Sequence, residues 1–294
     1  MIGMTPVHCM DRQADIGLGH REPLPMTLLD EDLRRLAAEL HTAERDSAPI
    51  EPLSARHPEL TIADAYEVQR EGVRLRVADG DRVRGHKVGL TARVMQEQFG
   101  VAQPDFGHLL ASMFHPEGEQ LPVDALIAPR VEPEVAFVLA RPLRGPGVTV
   151  ADVLAATAFL LPALEIIDSR ITDWKIGITD TVADNASSAR VVLGGRRTAI
   201  ADVDPRLIGV VLRRNGEVVE TGASGAVLGN PAYAVAWLAN TIAAHGGVLN
   251  DGDLIMPGTC TRAVAMAPGD TIRADFDQLG HVSVAFSSAE RGAA

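Results

Sequence analysis

The chain is 294 residues long and 46% hydrophobic, enough to bury one large core or two modest ones, with the length favouring one. Its 39 Asp and Glu outnumber 27 Lys and Arg, leaving a formal charge of -12 at pH 7. That balance excludes a general attraction to nucleic acid or anionic lipid, and an anionic substrate would need a local positive charge or a bound cation.

Cys9 and Cys260 cannot make a disulfide framework and suit a reducing compartment, so the cytoplasm is expected. No window approaches about 18 consecutive apolar residues, so no membrane span is expected. Residues 1–25 set Asp11, Arg12, Asp15 and His20 among glycines with no apolar run, which reads as a loose leader and not a signal peptide. Met26 is an alternative first residue.

Residues 26–81 read as an N-terminal helical region. From Thr27 to Glu44, Leu29, Leu33, Leu36 and Leu40 share one helical face, with Thr27 and Asp30 as candidate capping residues. A second helix is expected after Thr61, where Ile62, Tyr66, Val73 and Val77 share a face until the Gly80 region ends it.

Residues 82–288 change texture to short β-branched runs broken by Gly and Pro, at 83–89, 126–139, 161–168, 190–194 and 207–221, with a tail at 289–294. Asn215-Gly216 between two such runs is a strong hairpin signal. Residues 271–286 alternate like closing strands. Two helices interrupt the strands, one capped by Thr149 with Asp152 three residues on, the other opened by Asn230-Pro231 and closed by Gly246-Gly247. The body is therefore mixed.

Within the run Val131 to Leu139, Glu132 and Glu134 point to one face of a strand, roughly 6.6 Å apart along it. Like charges that close need a cation, a basic partner or a raised pKa. A third acid, Glu165, sits inside the apolar run 161–167. Three carboxylates with positions left for water and substrate suit Mg2+ or Mn2+. The competing reading is a solvated strand face with Glu165 paired to an arginine. No His-x-x-x-His or Cys-x-x-Cys pairing supports a zinc site, and His108 and His281 read as ordinary polar or core residues.

Further stretches are Gly85-His86-Lys87-Val88-Gly89-Leu90-Thr91, Gln103-Pro104-Asp105-Phe106-Gly107-His108-Leu109 and Pro129-Arg130-Val131-Glu132-Pro133-Glu134. After them come residues 164–174, Asp180 to Ser187, 227–231, 234–239 and Pro257-Gly258-Thr259-Cys260-Thr261-Arg262. In this order, over about Thr27 to Phe286, the sequence resembles the hydratase and decarboxylase branch of the fumarylacetoacetate hydrolase superfamily.

The resemblance implies an α+β fold, a mixed β-roll body with an N-terminal helical region, and association into a homo-oligomer of at least two chains. It assigns the metal to Glu132, Glu134 and Glu165, and general acid and base work to Lys87 and Asp105. Lys87 also reads as a lysine snorkelling at a sheet edge, and Asp105 as a turn cap after Pro104.

Candidate substrate-binding residues are His108 and Leu109, Asn185 and Ser187 (unless Asp184 or Asn185 caps a helix), and Thr259 and Thr261 (unless they form a plain turn). Arg130 and Arg170 are expected to fix the acidic ligands, and Arg190 to lie at the surface.

The activity implied is addition of water to 2-hydroxypenta-2,4-dienoate, or a close homologue, giving a 4-hydroxy-2-oxo acid in meta-cleavage catabolism of aromatic or steroid rings. Decarboxylation of 2-oxohex-3-enedioate is the nearest alternative. A non-catalytic role beside such enzymes is a third, and association with a downstream aldolase or a decarboxylase is also implied.

Overall fold

The structure is a computed structural model that describes residues 27–92, 96–97 and 100–287. The leader, Met26 and the tail lie outside the described residues.

Helix α1 (Asp30–Arg45) buries Leu33, Leu36 and Leu40 along one face. Its N-cap is Leu29, which makes no side-chain cap bond and is exposed, so neither expected cap is used. Thr27 is instead drawn to the buried Asp64 carboxylate, to which its backbone N–H donates at 3.0 Å. After α2 (Leu53–Arg56), α3 (Ile62–Ala78) opens with a reciprocal capping box between Thr61 and Asp64.

The buried face of α3 differs from the expected one: it carries Asp64, Ala65, Val68 and Gln69, while Val77 is exposed. A buried polar side chain is tolerated there because Gln69 donates to Phe106 O at 3.0 Å and Val182 O at 2.7 Å. Tyr66 stacks on Phe106 with ring centroids 4.6 Å apart. Helix α3 packs on α1 and on a short helix from the body, in a cluster that buries Leu33, Leu36, Leu53, Val68 and Val182.

The body opens with β1 (Val83–Gly89), β2 (Asp105–Leu110), β3 (Phe114–His115), β4 (Gln120–Leu121), β5 (Arg130–Leu139) and α4 (Val150–Ala156). It continues through β6 (Thr157–Ile167), α5 (Ile178–Ala183), β7 (Ser188–Leu193), β8 (Gly209–Arg214), β9 (Glu217–Ala223) and α6 (Pro231–Ala244). It closes with β10 (Leu254–Met256), β11 (Val264–Ala265), β12 (Thr271–Phe276) and β13 (Gly280–Phe286).

Helices α4 and α6 start where their caps placed them, Thr149 with Asp152 in one and Asn230 Oδ1 accepting from the Ala232 N–H at 3.0 Å in the other. Asn215 and Gly216 both take positive φ, 53° and 88°, in the β8–β9 turn, as a two-residue hairpin requires. Asp105 corrects the sequence reading: it begins a strand and does not cap a turn. The run Asp-Phe-Gly-His-Leu-Leu lacks β-branched residues, and its extended form comes from pairing with β1.

One sheet runs β2-β1-β10-β5-β6-β7-β3, with β11 also on β5, and a second runs β4-β13-β12-β8-β9. Side chains alternate faces, so Val131, Val135, Phe137, Leu164, Ile166 and Val192 turn one face of the first sheet toward the main core. Val210, Leu212, Ile272, Ala274 and Val282 of the second sheet and Val235 and Leu238 of α6 share that core. The opposite face of the first sheet carries Glu132, Glu134 and Glu165, continuing into Ala136, Ala163 and Leu161. No described helix is long and apolar enough to cross a membrane.

Candidate metal centre

Register brings the three glutamates together. Strands β5 and β6 pair antiparallel with Glu132 directly opposite Glu165, and Glu134 follows two residues along the same face. One carboxylate oxygen from each lies within 4.8 Å of the others. Glu134 and Glu165 are buried, and Glu132 stands half-buried at the rim.

Burial, then the neighbouring Glu165 and Asp105 charges, raise the pKa of Glu132 to about 7 against the pull of Lys87 and Arg130. Burial, then Glu165 and Glu132, push Glu134 well above the usual carboxylate range. The cluster has few internal bonds. Glu134 Oε2 accepts from the Gly258 N–H at 2.8 Å, and Glu165 Oε1 accepts from Ser188 Oγ at 3.2 Å. Glu165 Oε2 is buried without a hydrogen-bond partner.

Lys87, from β1, is the counter-charge. Its Nζ lies 3.4 Å from Glu165 Oε2, inside ion-pair range without a hydrogen bond, and donates to Ala186 O at 3.0 Å. The competing reading paired Glu165 with an arginine; the partner is this lysine, buried and not snorkelling at an edge. Burial opposes its charge, but Glu165, Glu132, Asp105 and Glu134 outweigh that and push its pKa up, so Lys87 is an ammonium.

Asp105 lies opposite Gly89 on the neighbouring strand, where a β-carbon would stand 2.1 Å from its Oδ1; glycine leaves the room. Burial raises its pKa, with Lys87 opposing, and Oδ1 has no hydrogen-bond partner. Four buried or rim carboxylates therefore face one ammonium. A divalent cation would cancel most of the excess and occupy the unpartnered oxygens, and an all-oxygen donor set fits a hard ion.

The remaining candidates divide. Leu109 shares the face of Lys87 (Gly85 opposite Leu109, Lys87 opposite Gly107), whereas His108 pairs with His86 on the other face. There its Nδ1 sits 3.0 Å from Gln69 Oε1, turned toward α3 and away from the glutamates.

Asn185 spends its amide on strand β2, accepting from the His108 N–H at 2.7 Å and donating to His108 O at 2.9 Å. It follows the end of α5 and so caps no helix start. Ser187 Oγ is buried without a partner. Thr259 Oγ1 donates to Thr261 O and Thr261 Oγ1 to Arg262 O, both at 3.0 Å, so these hydroxyls close a turn.

Arg130 places its guanidinium 4.3 Å from the Trp174 ring centre and draws Glu132 downward in pKa. Arg170 does not reach the glutamates. Its Nε donates to Asp184 Oδ1 at 2.5 Å and its Nη1 to Ser188 O at 2.9 Å, fixing the segment that carries Ala186 and Ser188. Arg190 is half-buried.

Sequence reasoning passed over Gly258, Ser188 and the Ala186 carbonyl, because two act through backbone and the third is a short polar residue at a strand start. Gly258 had one visible signal, a Pro-Gly pair marking a turn.

A family model for the fumarylacetoacetate (FAA) hydrolase C-terminal region matches residues 81–286. Among curated relatives, 2-oxo-hept-4-ene-1,7-dioate hydratase of Escherichia coli is 44% identical over 257 residues, covering 85% of this chain and 96% of that protein. A 2-keto-4-pentenoate hydratase of Paraburkholderia phymatum is 42% identical over 88% of this chain and 98% of its own length. Among solved structures, 4-oxalocrotonate decarboxylase from Pseudomonas putida, complexed with magnesium and adipate, superposes with a TM-score of 0.87 at 42% identity, covering 89% of this chain and all (100%) of that one. With the matched body, the carboxylate face and relatives of this similarity along nearly their whole length, the chain belongs to the fumarylacetoacetate hydrolase family.

Proposed function

We propose that the protein is a divalent-metal-dependent hydratase that adds water to 2-hydroxypenta-2,4-dienoate or a close homologue, giving a 4-hydroxy-2-oxo acid. The observation that carries this reading is the convergence of Glu132, Glu134 and Glu165 on one face beside the Lys87 ammonium and the buried Asp105 carboxylate. The names of the hydratase relatives support the substrate class.

Glu132, Glu134 and Glu165 hold the ion, with the Gly258 N–H and Ser188 Oγ orienting two of them. Bound Mg2+ or Mn2+ supplies the Lewis acidity that polarises the substrate's 2-oxygen. Lys87, whose acidic neighbours favour the ammonium in the metal-free protein, is the group placed to donate a proton or to hold negative charge on the substrate.

Asp105 is left as the group that takes a proton from the 2-hydroxyl or from the attacking water, and its raised pKa makes it a stronger base than an ordinary carboxylate. Leu109 and Met256, fully buried on the face of Lys87, back the site with apolar packing. The reading includes assembly into a homo-oligomer, which light scattering checks.

The deciding experiment mixes the protein and Mg2+ with 2-hydroxypenta-2,4-dienoate and, separately, with 2-oxohex-3-enedioate, following dienoate absorbance and CO2 release. Loss of the dienoate absorbance with formation of the 4-hydroxy-2-oxo acid is expected. CO2 from the diacid with no hydration of the dienoate overturns the proposal in favour of a decarboxylase.

A further inference from the structure

Away from the glutamates, a cleft of about 580 Å³ opens between α1, α3 and strand β7, lined in part by His41, Glu44, Ser47, Arg76, Ser112 and Arg190. It lies behind the metal centre. Arg190 pairs across the sheet with Ile166, while Glu165 pairs with Val191, so Arg190 and Glu165 leave the sheet on opposite faces.

The charges in the cleft are unevenly satisfied. Arg76 Nη1 holds both oxygens of Glu44 at 2.8 and 2.7 Å, and its Nη2 donates to Ser112 Oγ at 3.0 Å. His41 Nε2 faces Asp79 at 3.9 Å. Arg190 has one hydrogen bond, from Nη1 to Ala189 O at 2.8 Å, and no carboxylate within ion-pair distance among the described residues. A guanidinium carries five donors in a planar fork, and one that is half-buried with most of them unspent is short of an anionic partner.

We propose that this cleft is a second anion site that takes a small monocarboxylate on the Arg190 guanidinium, with Arg76 and His41 in its walls. The lining sets Arg45, Arg76 and Arg190 against Glu44, Asp79 and Asp81, and of these arginines Arg190 is the one without a carboxylate in ion-pair range among the described residues. There is thus no surplus charge for a second negative charge, and a singly charged carboxylate is better matched than a doubly charged phosphate. The planar fork also matches a carboxylate's two oxygens. Burial lowers the Arg190 pKa and Glu44 raises it, the electrostatic situation that a bound carboxylate would relieve.

The test is calorimetric titration of acetate, and separately of inorganic phosphate, into chelator-treated full-length protein at constant ionic strength, so that the result does not depend on turnover or on the proposed reaction. Saturable acetate binding at millimolar concentration is expected, with phosphate weaker. Arg190→Gln should weaken acetate at least about tenfold and Arg190→Lys less, with circular dichroism and melting temperature reporting that both variants fold. Lys87→Met should leave the binding unchanged.

Absence of saturable binding, equal binding by Arg190→Gln, phosphate binding tighter than acetate, or loss of binding in Lys87→Met would each overturn the proposal, the last because the anion would then sit at the glutamates. Size-exclusion chromatography closes the remaining route. A concentration-dependent change of oligomeric state in Arg190→Gln without acetate binding to the wild type would make the cleft a contact between copies of this chain instead.

Discussion

Lys87 Nζ stands 3.4 Å from Glu165 Oε2 although β10 and β5 separate their strands in the sheet. Neighbouring strands lie about 4.8 Å apart, so a flat sheet would hold the two backbones about 14 Å from each other. The sheet curls so that both side chains reach the same point, and the curl places the lysine among the carboxylates.

Replacing Lys87 with methionine should remove a proton donor without removing a metal ligand. Turnover is expected to fall by about 10²-fold or more, while Mg2+ affinity measured by calorimetry holds or rises, because a competing positive charge has gone. A rate unchanged within twofold would take Lys87 out of the reaction.

Glu165→Ala deletes the carboxylate opposite Glu132 and should abolish metal-dependent turnover while the chain stays folded. In the metal-free protein the variant should not be acid-starved: repulsion on Glu132 and Glu134 is relieved. Full activity of the wild type after exhaustive chelation would refute the metal assignment.

The pH dependence of stability follows from the same repulsion. Glu132 titrates at about 7 in the folded protein against its ordinary 4.5, so between these values the folded state binds more protons than the unfolded one. Stability from this group is present below 4.5 and is lost as pH rises through about 7; Glu134 acts in the same direction. The melting temperature of metal-free protein should therefore fall across this window, the fall should shrink in Glu132→Gln, and Mg2+ should stabilise more at pH 7.5 than at pH 5.5. Identical slopes for wild type and variant would contradict the assignment.

Arg170→Gln leaves the buried Asp184 carboxylate without its guanidinium and unfastens the segment that offers Ala186 O to Lys87. Removing one partner of a buried pair costs about 3–5 kcal/mol, so denaturant unfolding should shift markedly. Arg170→Lys should recover only part of it, since an ammonium cannot serve Asp184 and the Ser188 carbonyl through one planar fork.

Gly258 has φ of 128°, and a β-carbon there would stand 2.2 Å from Thr91 Oγ1. Gly258→Ala should cost about 1–3 kcal/mol of stability and weaken Mg2+ binding by displacing the N–H that orients Glu134. Unaltered metal affinity in a folded variant would show that this backbone donor is dispensable.

Much of this protein is written in local sequence, because local rules act through neighbours along the chain. Thr61 with Asp64, Thr149 with Asp152 and Asn230 with Pro231 set three helix starts, and Asn215-Gly216 set one hairpin, through bonds spanning at most four residues. Period two alone put Glu132 and Glu134 on one face. Where a distant partner decided, local reading failed: Thr27 left its helix for Asp64, and Asp105 became a strand residue by pairing with β1.

The centre itself belongs to tertiary structure. Strand period accounts for Glu132 and Glu134, the apolar setting of Glu165 marked it as unusual, and the acidic composition required a local cation for any anionic substrate. Register between β5 and β6 set Glu165 opposite Glu132, and the curl of the sheet carried Lys87 across two strands to meet them. These are relations between residues tens of positions apart, settled by which faces bury together, and no spacing along the chain encodes them.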